Sequence, residues 1–89
     1  MPWTVRIPKA VEREMDELPD DVREEAIDTI HDLEEDPFQP GSIQLRNHTN
    51  LYRVRFFREA YRITYLVFER QKKIVLTRVR HRRDVYEGL

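Results

Sequence analysis

Cysteine is missing from all 89 residues, which excludes a disulfide framework and any thiolate metal site. Histidine is scarce. His31, His48 and His81 are scattered along the chain, too thin a supply for a structural zinc site. No apolar run approaches the roughly 18 residues that a membrane span needs. The opening "MPWTVRIPKA" has no basic stretch followed by an apolar one, so it does not read as a secretory signal. A cytoplasmic location is the expectation. The composition that remains, 39% hydrophobic and 37% charged, suits a folded globular chain rather than a disordered one. One domain over residues 1–89 is expected, near the size at which a single core becomes marginal.

The net charge of −1 conceals a division. Residues 1–40 carry 4 Lys and Arg against 13 Asp and Glu, a net of −9. Residues 41–89 carry 12 against 4, a net of +8. Such a split predicts two electrostatically distinct faces and points to nucleic acid on the basic one. The plainer alternative is that the two halves attract each other and solvate their own surfaces.

The acidic half predicts one strand and a helical hairpin. "WTVRI" (Trp3 to Ile7) alternates and is β-branched. Pro8 suits a first helical turn, and Val11, Met15 and Leu18 mark one helix face before Pro19 ends it. Asp20 or Asp21 caps a second helix, whose stripe is Val22, Ala26, Ile27, Ile30 and Leu33; "DPFQPG" ends it. The basic half predicts a mainly antiparallel sheet of three or four strands, giving an α+β fold. "LYRVRFF", "AYRITYLVFE" and "IVLTRVR" read as strands, and "SIQLRNHTN" as irregular or a brief strand. If the apolar and aromatic set, including Tyr52, Tyr61 and Tyr65, faces the helices, then Arg53, Arg55, Arg62, Arg78 and Arg80 share the opposite face. Five arginines on one face repel one another and call for an anionic partner. The planar guanidinium fork fits phosphate by paired hydrogen bonds.

RNA cleavage without a metal needs a base for the 2′-hydroxyl, cations for the phosphate and an acid for the leaving oxygen. Arginine fills only the second role well. His81 and Tyr86 are the candidates for proton transfer; each also has a structural reading, a hydrogen-bonded histidine and a packed tyrosine. Tyr86 has a third option, stacking on a base. His31 and His48 read as surface residues.

Three segments carry a family resemblance: Tyr52-Arg53-Val54-Arg55, Tyr61-Arg62-Ile63-Thr64-Tyr65 and His81-Arg82-Arg83-Asp84-Val85-Tyr86. In this order, after a strand and a helical hairpin, they resemble the RelE/ParE toxin superfamily over nearly the whole chain. The resemblance implies a small ribonuclease-like α+β fold and a toxin neutralised by a cognate antitoxin, with a toxin–antitoxin hetero-oligomer possible and no membrane partner. In its RelE branch it implies cleavage of mRNA in the ribosomal A site by attack of the 2′-hydroxyl, with no metal and no cofactor. Arg62, Arg82, Tyr86 and His81 are then the catalytic candidates. Arg53, Arg55, Arg78, Arg80 and Arg83 are the candidates for holding RNA phosphate. Well-known RelE members carry lysine at the positions of Arg53 and Arg55; arginine there keeps phosphate binding but is a poor general base. Two rivals stand beside this reading: a ParE-like inhibitor of DNA gyrase, and a catalytically degenerate member that only pairs with its antitoxin.

Overall fold

The computed structural model describes residues 2–83. Strand β1 (Thr4–Arg6) leads into helices α1 (Lys9–Asp16) and α2 (Asp20–Glu35), followed by β2 (Ile43–Gln44), β3 (Leu51–Phe56), β4 (Tyr61–Phe68) and β5 (Lys73–His81). The five strands form one sheet in the order β1-β5-β4-β3-β2. β1 runs parallel to β5, and every other pairing is antiparallel. The fold is α+β with a mixed sheet. The ambiguous segment before β3 supplies β2, a two-residue edge strand.

Prolines frame both helices. Pro8 and Pro19 sit in extended conformation at the two N-caps, where no backbone N–H is missed. Val11 and Met15 bury one face of α1. On α2 the buried set is Val22, Ala26, Thr29, Ile30 and Leu33. Ile27, expected in that stripe, is 42% exposed, and Thr29 takes its place. At about 100° per residue, position 27 falls beside the stripe and position 29 within it. Thr29 tolerates burial because its hydroxyl donates to the Glu25 carbonyl at 2.8 Å.

Both helices cover one face of the sheet, against Val54, Phe56, Ile63, Tyr65, Val67, Ile74, Leu76 and Val79. Tyr65 is fully buried, and its hydroxyl donates to the Pro37 carbonyl at 2.7 Å. Burial pushes its phenol up to about 12.

Simple alternation on the last strand predicts Val75, Thr77 and Val79 on the covered face. The structure instead buries Ile74 and Leu76 and then Val79. The cause is a bulge: Thr64 faces Arg78, whereas the next residue, Tyr65, faces Leu76. The additional residue, Thr77, turns its hydroxyl onto that of Thr64 at 2.7 Å. One inserted residue inverts the phase of the strand, so Val79 returns to the core and Arg78 and Arg80 keep the outer face.

A cleft of four arginines

Register fixes the outer face. Arg55 pairs with Arg62, and Arg62 with Arg80, so β3, β4 and β5 each place an arginine in one row. The next row holds Arg53, Thr64 and Arg78. Farther along, the face becomes apolar, with half-buried Leu51, Leu66, Val75 and Phe68.

Beyond the arginine row the chain passes the β3–β4 connection. Phe57, Arg58 and Glu59 there adopt φ of 50°, 57° and 63°, a left-handed run without glycine. It is secured from the helical side, where the Glu25 carboxylate accepts the Phe57 N–H. The Ala60 carbonyl then accepts the Arg82 N–H at 2.8 Å. That bond brings Arg82 and Arg83 next to Arg55 and Arg62. The four side chains line an open cleft of about 390 Å³. Arg62 is the sheltered member at 9% exposure, and Arg55, Arg82 and Arg83 face solvent. No carboxylate lines the cleft among the described residues. The arrangement is a cationic recess of planar guanidinium forks, suited to a phosphate and its neighbours.

The remaining candidates fall elsewhere. His81 is not in the cleft. Strand alternation turns it to the side opposite Arg80, and its ring stands perpendicular to that of Tyr61 with centroids 5.0 Å apart. Its Nδ1 accepts the Arg83 N–H at 3.1 Å, so it shapes the backbone that carries Arg82 and Arg83. Arg78 and Arg80 stand on the outer face but lean to the free edge of β5, towards Glu14 of α1. Arg80 Nε donates to Glu14 Oε2 at 2.6 Å, and Arg78 Nη1 lies 3.8 Å from the same oxygen. Arg53 is half-buried in the second row. Tyr86 lies outside the described residues, as do Asp84 and Val85. Glu14 was not foreseen. Its partners are 65 and 66 residues downstream, and nothing in the α1 pattern marks it except its place beside the buried Met15.

Comparison with known proteins bears directly on this arrangement. The family model for the ParE toxin of the type II toxin–antitoxin system parDE matches residues 5–86. The chain belongs to that toxin family. It is similar to Toxin RelG of Mycobacterium tuberculosis, 29% identical over 87 residues that cover 97% of this chain and 98% of that protein. Among solved structures it resembles the toxin–antitoxin complex RelBE2 of the same bacterium, with 26% identity and a TM-score of 0.76 over 92% of this chain and 100% of the other. It also resembles the archaeal RelE–RelB complex of Pyrococcus horikoshii, again 26% identical, with a TM-score of 0.79 over 92% and 97%. The isolated E. coli RelE toxin shares the fold at 20% identity, with a TM-score of 0.78 over 97% and 93%. This ParE-family toxin is thus a member of the RelE/ParE superfamily, as its three sequence segments suggest.

Proposed function

We propose that this toxin is a RelE-like endoribonuclease that cuts mRNA in the ribosomal A site and is silenced by a cognate antitoxin. The observation that carries the reading is the cleft of Arg55, Arg62, Arg82 and Arg83, with one guanidinium sheltered and three at its rim. In-line attack of a 2′-hydroxyl on the adjacent phosphate builds negative charge on the non-bridging oxygens, and preorganised cations lower that barrier. The attack breaks the bond to the 5′-oxygen and leaves a 2′,3′-cyclic phosphate. Arg62 and Arg82 stabilise the phosphorane-like charge, while Arg55, Arg83 and Arg53 hold the flanking backbone. A guanidinium does not give up its proton in a protein, so proton transfer falls to Tyr86, or to the Nε2 of His81 if that ring swings round the strand end. The reading implies a cytoplasmic site of action, with ribosome and mRNA as partners. The antitoxin reading is supported by the similar chains that were solved as toxin–antitoxin complexes.

A second reading, inhibition of DNA gyrase, is favoured by one observation: the matching family model is that of the ParE toxin. Both are tested together. Inducing the toxin and mapping 5′ ends of ribosome-bound mRNA should reveal codon-spaced cuts, lost in Arg62→Ala. Intact mRNA, together with blocked supercoiling by purified gyrase, would replace the nuclease reading with the gyrase one.

A further inference from the structure

Glu14 belongs to the acidic helix α1, yet both of its oxygens are engaged on the arginine strand. Oε1 accepts the Val79 N–H at 2.9 Å, and Oε2 accepts Arg80 Nε at 2.6 Å. β1 pairs with β5 only from Lys73 to Val75. Past that point the outer edge of β5 has no strand beside it among the described residues, and Glu14 caps the edge at Val79 as a neighbouring carbonyl would. The carboxylate is sheltered at 19% exposure. A short charge-assisted bond in that setting is strong and only weakly screened by salt.

We infer that Glu14 is a positioning residue that competes with phosphate from within the chain. It holds Arg80 at the β5 edge, with Arg78 in looser reach at 3.8 Å, so that Arg80 is withheld from nucleic acid that enters the cleft. The inference rests on the RNA reading above. Carboxylate and phosphodiester offer a guanidinium the same pair of anionic oxygens. Arg80 is the cross-strand neighbour of Arg62, so without Glu14 it would extend the row that lines the cleft. Satisfied by a carboxylate of its own chain, it exchanges no counterion for an incoming phosphate and adds nothing to counterion release.

The test is the salt dependence of binding to a short single-stranded RNA whose 2′-oxygens are methylated, which leaves no hydroxyl to attack. Each engaged phosphate adds about 0.7 to the magnitude of the slope of log K against log salt, and the parent's own slope is the reference. In Glu14→Gln the amide oxygen still accepts the Val79 N–H, but the amide nitrogen then meets Arg80 Nε–H, donor against donor. Arg80 is released to the outer face. The slope should steepen by about 0.7, or by about 1.4 if Arg78 follows, a gain of about 2.5-fold per contact for a fourfold drop in salt. Arg80→Ala should leave the parent's slope unchanged and should cancel the gain in the Glu14→Gln background. A Glu14 that only supports the fold would lower the melting temperature and leave the slope alone. An unmoved slope in Glu14→Gln, or a shallower one in parental Arg80→Ala, overturns the inference and leaves the RNA reading standing. A parent protein with no salt-dependent RNA binding sinks both, and does so before any substitution is made.

Discussion

Arg62, at 9% exposure among three further guanidiniums, is the most sheltered cation in the cleft, and the nuclease reading gives it the developing phosphate charge to hold. Arg62→Ala and Arg82→Ala should each lower mRNA cleavage by about 10²- to 10³-fold, roughly 3–4 kcal/mol of transition-state stabilisation. Single-turnover cleavage on ribosome complexes is the measurement, expressed per folded molecule with thermal melts of each variant run alongside. Tyr65 allows a separate check on the core. The folded protein holds the phenolic proton to about 12, against an ordinary value of 10.0. The unfolded chain therefore releases that proton first, and stability falls as pH climbs from about 10 towards 12, by on the order of 2 kcal/mol. Tyr65→Phe should cost about 1–3 kcal/mol at neutral pH by stranding the Pro37 carbonyl. Denaturant melts at alkaline pH should show parent and variant converging. At this scale the sequence discloses the arginines, because a strand period of two sorts them. It does not disclose Glu14, because only tertiary packing brings α1 to β5. Proximity in the chain groups His81 with Arg82, yet alternation from Arg80 sends it to the other side.

The elements owe their placement to two local departures from regular geometry. The bulge at Thr77 keeps Ile74, Leu76 and Val79 in one core despite their mixed parity. That break is not legible in "IVLTRV", because Val75, Thr77 and Val79 satisfy unbroken alternation as well, and only the burial of Ile74 and Leu76 reveals the change of phase. The left-handed run at Phe57, Arg58 and Glu59 leaves no trace either, since none of the three is glycine. A side chain in that conformation costs about 1–2 kcal/mol, against about 0.5–1 kcal/mol for the flexibility of glycine. Glu59 is exposed, so Glu59→Gly should stabilise the protein by up to about 1 kcal/mol, read as a shift of the urea midpoint at constant m-value. The helices were easier to anticipate, although the second N-cap, expected at Asp20 or Asp21, is Pro19, with Asp20 already the first helical residue. Ile27 shows the limit: an apolar residue one position off the stripe looks like core until the helix is given its azimuth.

Across the whole molecule, the charge division of the sequence becomes a division in space, with an exception at Glu14. Acidic helices cover one side of the sheet, and the other side runs from an arginine row to the apolar Leu51, Leu66, Val75 and Phe68. An antitoxin that covers this side would bring carboxylates to one end and apolar side chains to the other. Its association rate should then fall steeply as salt rises, while dissociation changes little. Stopped-flow mixing at low and high salt measures this, and a flat association rate would move neutralisation to the helical side. No helix of the described residues is long and apolar enough to cross a membrane.

The strand order also governs when this protein first exists. β1 has β5 as its one neighbour in the sheet, and Thr4 meets Lys73 across almost the full described chain. Until β5 has been synthesised, β1 has no strand to pair with, α1 lacks the strand it packs on, and Arg62 has no Arg82 beside it. Such distant pairing makes folding wait on translation. The four-arginine cleft can therefore form only after synthesis has passed Arg82 and Arg83, well after Arg55 and Arg62 have been made.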